Sequence, residues 1–98
     1  MKTIIHLNDG GNMFVIIVYD MKEGRTDKPR KLLRQYLQHV QNSVFEGEIT
    51  QGQLNELRPR LESMTQPNES IILYEYATEN HIDISVYGED PRSDKQFL

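Results

Sequence analysis

An aspartate stands directly after the most apolar run of the chain. Asp20 follows Met13–Tyr19, a run that holds no charged residue. Such a run is typical of a central strand that is covered on both faces. A carboxylate on the end of a rigid strand can bind Mg²⁺ or Mn²⁺, because Mg²⁺ takes one or two carboxylates and keeps several waters. The same position also suits a carboxylate that closes a turn, so both interpretations of Asp20 stay open.

The positive charge of the chain is concentrated in one segment. Residues 22–34 hold six of the eleven basic residues and only two acidic ones, which gives this segment a charge of +4. The other residues carry a charge of −8. A basic segment on an acidic body is typical of a phosphate-binding surface, although a solvated helix face has the same composition. The candidates for phosphate contacts, which would not read the base sequence, are Arg25, Lys28, Arg30, Lys31 and Arg34.

A second segment, Val40–Glu48, combines polar and aromatic residues in a strand-like pattern. Ser43 could donate a hydrogen bond to a phosphate or to a neighbouring backbone group. Phe45 is predicted to pack in the core or in a dimer interface. Tyr19 is predicted to do the same, because alternation along a strand places it on the face opposite Asp20.

Several classes of site and of protein are excluded by composition. The chain has no cysteine, which rules out disulfides and thiolate metal sites. Its three histidines, His6, His39 and His81, are not at metal-ligand spacing. The longest apolar run, Met13–Tyr19, is too short to span a membrane, and nothing in the sequence indicates secretion, so we expect a cytoplasmic protein.

The pattern of helices and strands predicts one small α+β domain. Residues 1–12 are turn-rich and are interpreted as an N-terminal extension, and residues 13–87 form the domain. The first helix is predicted to begin at Asp27 as its N-cap, with Pro29 in the first turn and with Val40 still on its apolar face. The next strand, 41–49, contains Gly47 and is predicted to bend or to divide in two.

The second half of the chain predicts one more helix and two strands. Thr50 and Gln53 have the spacing of a capping box, and Pro59 is expected to kink or divide the helix that follows. Residues 70–76 form a strand, and Ile82, Ile84 and Val86 predict a strand that is covered on its apolar face only. This order matches a ferredoxin-like βαββαβ sandwich with an extra C-terminal strand, followed by a polar tail at 88–98 that ends in an apolar pair and is predicted to dock.

Two of these segments together resemble one protein family. Residues 15–20 and 40–48, separated by a basic helix, are similar to the family of CRISPR-associated protein two, the small partner of the spacer integrase. The resemblance covers roughly residues 13–98. It implies a ferredoxin-like homodimer whose two-fold axis brings both copies of Asp20 together around one divalent ion. The loop after the aspartate usually carries more arginines in this family, whereas this chain has only Lys22 and Arg25 there.

The resemblance leaves three functions to distinguish. The first is metal-dependent cleavage of single-stranded RNA or duplex DNA, with Asp20 as the catalytic and metal-binding residue. The second is a non-catalytic bridge that binds duplex DNA together with the CRISPR integrase during spacer acquisition. The third is a toxin-type ribonuclease, because a ribonuclease family of that kind shares the fold and a similar strand-end aspartate.

Overall fold

The computed structural model describes residues 12–78 and 80–92, and these form a single five-stranded antiparallel sheet with two helices. The strand order is β2-β3-β1-β4-β5, with every neighbouring pair antiparallel. This confirms the predicted ferredoxin-like α+β fold with a fifth strand at one edge. The elements are β1 Asn12–Asp20, α1 Asp27–Leu33, β2 Gln38–Gln41, β3 Val44–Thr50, α2 Gln51–Met64, β4 Ser70–Thr78 and β5 His81–Gly88.

The core lies between one face of the sheet and the two helices. On β1, Val15, Ile17 and Tyr19 are buried toward the helices, and β3 and β4 flank this strand on both sides. Burial of this apolar face stabilises a chain too short to form a second core. The helices contribute Leu32, Leu33, Leu54, Leu57, Leu61 and Met64.

The first helix is shorter than its apolar spacing predicts. It ends at Leu33, and residues 38–41 form the edge strand β2 instead of continuing the helix to Val40. The ring of His39 stacks on Phe45 at a centroid distance of 4.6 Å, while Leu37 is buried in the core. Pairing with β3 therefore overrides the helical spacing: Leu37 still reaches the core, whereas Val40, predicted on the apolar face of the helix, is 51% exposed on β2.

The long strand predicted at 41–49 divides in two at a turn formed by Asn42 and Ser43. Asn42 adopts a positive φ of 34°, which this residue type tolerates well. Gly47 does not break the strand: it pairs with Val15 inside β3. A Cβ at Gly47 would lie 3.4 Å from the side chain of Leu37, so the glycine gives this leucine room above the sheet.

The helix ends agree with the prediction at α2 and differ at α1. Both hydrogen bonds of the capping box between Thr50 and Gln53 are present, and α2 runs through Pro59 as one helix. At α1, Thr26 occupies the N-cap position and its side chain makes no capping bond. Asp27, predicted as the cap, is the first helical residue and forms an ion pair with Arg30.

The two faces of β5 are reversed relative to the prediction: its polar residues face the helices and its apolar residues face away from them. The side chains of Ser85 and Tyr87 lie on the helix side, where both accept a hydrogen bond from Arg58 of α2. Ile82 and Ile84, predicted to be covered, are 43% and 45% exposed. They lie on the face of the sheet that has no helix, which we call the open face. The polar positions face inward because Arg58 provides them with a partner there.

Two predicted segments fall wholly or largely outside the described residues. The N-terminal extension at 1–12 contributes only Asn12, which begins β1. The tail at 88–98 is described as far as Arg92, and its terminal apolar pair lies beyond that point. No helix within 12–78 and 80–92 has the length and apolar character needed to cross a membrane.

Candidate active site

Asp20 is the last residue of β1 and is exposed to solvent. It shares the open face with Phe14, Ile16 and Val18, because these residues alternate with the buried ones along the strand. Within the part of the chain that the structure describes, no hydrogen bond or ion pair engages its carboxylate. The carboxylate is thus available for a ligand from outside the protomer.

The end of the sheet that carries Asp20 also carries two serines. Ser70, the first residue of β4, pairs with Asp20 across the ladder. Ser43, in the turn between β2 and β3, accepts a hydrogen bond from the backbone N–H of Tyr19 through its carbonyl oxygen, at 3.1 Å. Ser43 was predicted as a phosphate contact, and the structure places it beside the end of β1, near Asp20 in the fold.

The segment between Asp20 and α1 is closed by a tight turn. The backbone N–H of Arg25 donates to the carbonyl of Lys22 at 3.0 Å, and Gly24 has the positive φ of 85° that the third position of such a turn favours. The side chain of Glu69 lies beneath this turn. It accepts a hydrogen bond from the backbone N–H of Lys22 at 3.1 Å.

Glu69 is also paired with the guanidinium of Arg25. Arg25 donates from Nε to Oε2 at 2.6 Å and from Nη2 to Oε1 at 3.0 Å, in the bidentate geometry of a strong ion pair. The side chain of Glu69 has no exposed surface. These hydrogen bonds from Arg25, with those from the backbone of Lys22 and Gln66, lower the pKa of Glu69 to about 2. The carboxylate is therefore ionised at neutral pH although it is buried.

The predicted cationic residues do not form one cluster. Lys28, Lys31 and Arg34 are exposed on or just after α1. Arg30 is half-buried and paired with Asp27. The helices cover the face of the sheet opposite the open face. These cations therefore lie on the helix side of the sheet and Asp20 on the open side, at the same end. Arg25 differs from the other predicted cations because the carboxylate that holds its guanidinium, Glu69, is buried.

Of the two locations predicted for Tyr19 and Phe45, the core or a dimer interface, the structure shows the core. Phe45 has no exposed surface and Tyr19 is 4% exposed, because both pack inside the protomer beneath α1. Their rings stack at a centroid distance of 6.2 Å, and burial raises the pKa of Tyr19. A buried ring has no surface left for a partner, so the alternative of core packing is the correct one.

The open face of the sheet carries apolar side chains that neither α1 nor α2 covers, among them the half-exposed Ile82 and Ile84. Phe14 and Tyr76 contact each other edge to face at a centroid distance of 6.0 Å. Register places Ile84 beside Tyr74, and Tyr74 beside Ile16, in one row across three strands. An apolar patch of this kind on a protein surface commonly marks a site of association.

The protomer provides few ligands for a metal ion. Among the residues that the structure describes, no three His, Asp or Glu side chains come together as a metal-binding group. Asp20 offers one free carboxylate, and the neighbouring serines and backbone offer neutral oxygens. Oxygen donors of this type fit Mg²⁺ or Mn²⁺, which keep several waters, provided that a second carboxylate comes from another copy of the chain.

Comparison with known proteins shows the family. A profile described as CRISPR associated protein Cas2 matches residues 13–83. A protein of Haloferax volcanii is 39% identical over 85 residues, which cover 87% of this chain and 99% of the relative. One of Nanoarchaeum equitans is 41% identical over 80 residues, 81% of this chain and 88% of the relative. Both relatives are named CRISPR-associated endoribonuclease Cas2.

A solved structure agrees with these matches. It is described as a crystal structure of cas2, is 39% identical, and superposes with a TM-score of 0.65 over 86% of this chain and 95% of its own. The chain therefore belongs to the CRISPR-associated Cas2 family, as the two sequence segments predicted.

Sequence reasoning missed Glu69, the most extensively bonded side chain near Asp20. It lies in the break between α2 and β4, where no apolar periodicity marks a position as buried. The one available signal was its place immediately before a strand that pairs with β1. Its partner, Arg25, was recognised as basic but was assigned to phosphate.

Proposed function

We propose that the chain is a metal-dependent endoribonuclease of a CRISPR system, with Asp20 as its catalytic residue. The observation that carries the proposal is the exposed, unengaged carboxylate at the end of the central strand, in a chain whose relatives are named endoribonucleases. A catalytic carboxylate on a rigid strand is held in place without a flexible loop.

The proposed site is completed by a second copy of the chain. Two Asp20 carboxylates from a homodimer would hold one Mg²⁺ or Mn²⁺. When bound, the ion would supply an activated water and polarise the scissile phosphate. The exposed cations Lys28, Lys31 and Arg34 would attract the RNA backbone without reading its sequence. The turn at 22–25 joins the end of β1 to α1. An RNA strand would therefore pass both the Asp20 site and these cations at one end of the sheet.

Cleavage of labelled single-stranded RNA tests the catalytic role. With Mg²⁺ or Mn²⁺ we expect cleavage that chelator abolishes and that Asp20→Asn lowers at least about 100-fold, the size of a typical loss of one transition-state stabiliser. Glu23→Gln removes an exposed carboxylate three residues away and should leave the rate unchanged. Equal cleavage by wild type and Asp20→Asn would refute the proposal, and duplex DNA in parallel shows which nucleic acid is cut.

The homodimer is proposed to form through the open face, which also carries Asp20. Full burial of an isoleucine is worth about 1.5–3 kcal/mol, so covering the exposed half of Ile84 contributes about 1 kcal/mol, and it occurs twice in a symmetric dimer. Ile84→Lys should therefore raise the dimer dissociation constant by more than about 30-fold, because it also buries a charge. Ser63→Lys adds the same charge on α2 and is the control. Sedimentation that shows an unchanged dimer in Ile84→Lys would exclude this face.

A second function is favoured by the exposed cations of α1. The chain would bind duplex DNA and act as a bridge for the CRISPR integrase. Binding through phosphates falls with salt, with a slope of about 0.9 for each phosphate contact. Lys31→Gln combined with Arg34→Gln should reduce that slope by roughly two for each protomer that contacts DNA. A slope that stays unchanged would remove α1 from the DNA-binding surface, and Arg60→Gln on α2 is the matched control.

A further inference from the structure

Glu69 connects three parts of the fold at the end of the sheet that carries Asp20. Its Oε2 accepts from the backbone of Lys22 and from Nε of Arg25, and its Oε1 accepts from Nη2 of Arg25 and from the backbone of Gln66. Four donors satisfy the acceptor capacity of a carboxylate. The turn after Asp20 and the segment after α2 are thereby tied to one buried group.

The backbone of Glu69 extends this connection to the strands. Its neighbour Ser70 is the residue that pairs with Asp20. Its carbonyl accepts a hydrogen bond of 2.8 Å from the backbone of Glu89, just after β5. Gly88 passes so close to this carbonyl that a Cβ there would clash. Glu69 is consequently fixed from several directions and cannot shift without moving the strand end.

We propose that Glu69 and Arg25 are positioning residues for Asp20: the pair fixes the turn at 22–25, and through it the direction in which the Asp20 carboxylate points. This inference rests on the proposed function, because it assigns a role within the same site. It also gives Arg25 a role other than the phosphate contact predicted from its charge.

The bonding of Arg25 favours positioning over phosphate binding. Besides the two bonds to Glu69, its Nη2 donates to the carbonyl of Met64 at 2.7 Å. A phosphate that recruited this guanidinium would leave the Glu69 carboxylate buried without its main partner, and an unpaired buried charge costs several kcal/mol. The exposed cations of α1 can bind a phosphate without that cost.

The expected effect of losing the pair is on the reaction step. A displacement of about 1 Å in a reacting group can lower a rate by about 100-fold even when the substituted residue does not touch the substrate. Glu69→Gln keeps the shape of the side chain but removes the charge and turns one acceptor into a donor. It should lower kcat for RNA cleavage at least about tenfold while KM stays within about threefold.

The experiment compares Glu69→Gln, Arg25→Gln and the double variant in RNA cleavage. Residues that act as one unit are not additive, so the double variant should lose no more activity than the worse single variant. Arg58→Gln is the matched control, because Arg58 forms another partly buried ion pair, with Glu75, away from Asp20. It should lower the melting temperature comparably and leave kcat within about threefold.

Salt dependence separates the two roles of Arg25. A positioning residue leaves the salt slope of KM unchanged when it becomes Gln, whereas a phosphate ligand lowers that slope by about one. If Arg25→Gln raises KM, lowers the salt slope and leaves kcat intact, the proposal is overturned. It is also overturned if Arg58→Gln loses kcat as much as Glu69→Gln does.

Mn²⁺ binding distinguishes failure of this proposal from failure of the proposed function. If the wild type does not cleave RNA but binds Mn²⁺ through Asp20, the nuclease function fails, and weaker Mn²⁺ binding by Glu69→Gln than by Arg58→Gln still supports positioning. Equal Mn²⁺ affinity in those two variants overturns it. A wild type that neither cleaves RNA nor binds Mn²⁺ through Asp20 overturns both.

Discussion

Acid should destabilise this protein through Glu69, and the size of the effect follows from its pKa. Four hydrogen bonds, chiefly those of Arg25, hold this pKa at about 2 in the folded chain, against an ordinary value of 4.5. A carboxyl whose pKa is depressed by folding binds protons more readily when unfolded. Its contribution to stability is therefore complete above pH 4.5 and is lost as the pH falls toward 2.

The ionised Glu69 carboxylate contributes about 3 kcal/mol to the free energy of unfolding at pH 7, because its pKa falls from 4.5 to about 2 on folding and each pH unit corresponds to about 1.4 kcal/mol. This is an upper figure, because the Arg25 side chain is 28% exposed and water screens part of the attraction. The contribution falls to about 1.5 kcal/mol at pH 3 and to less than about 0.5 kcal/mol at pH 2. A difference of this size is a substantial fraction of the stability of a small domain.

Urea denaturation of wild type and Glu69→Gln at one protein concentration measures this contribution. The difference in unfolding free energy between the two proteins should shrink by about 1.5–2 kcal/mol between pH 7 and pH 3. Glu62→Gln, which removes an exposed carboxylate from α2, should differ from wild type by less than about 0.5 kcal/mol throughout. If the difference for Glu69→Gln is the same at both pH values, the ionised carboxylate is not stabilised by its donors and the reasoning is refuted.

Two further predictions concern local geometry, and both are measured by thermal and urea unfolding. Gly88→Ala should lower the free energy of unfolding by at least about 2 kcal/mol, because φ is 87° and the added Cβ would clash with the carbonyl of Glu69. The control is Gly52→Ala in α2, where the added Cβ meets open space and the change should be neutral or stabilising. A tolerated Gly88→Ala would contradict the close approach. Thr50→Ala should cost about 1 kcal/mol through loss of the hydrogen bond from the Gln53 backbone to the cap, and Thr50→Ser should retain most of it.

The sequence by itself determined the elements whose signals are local. The uninterrupted apolar run up to Asp20 identified the central strand, although the helices cover only one of its two faces and the expected cover of the other face is absent from the described residues of the protomer. Thr50 and Gln53 located the start of α2, because a capping box depends on two residues three positions apart. The fold class followed from the order of these elements, and the family resemblance from two short segments.

Tertiary structure decided what depends on distant partners. The apolar spacing up to Val40 fits a helix, but pairing with β3 and the stacking of His39 on Phe45 turn its last residues into an edge strand. The alternation in β5 defines a polar and an apolar face but does not indicate which of them faces the helices. The polar face does so because Arg58 of α2 donates hydrogen bonds to its side chains.

The same limit applies to the candidate site. The position of Asp20 at a strand end could be predicted from the sequence. Glu69 could not, because 44 residues separate it from Arg25 and its burial depends on a contact that only the folded chain makes. A charged residue in a polar break has no local pattern that distinguishes a buried ion pair from a solvated side chain, since the difference lies in the donors that folding brings to it.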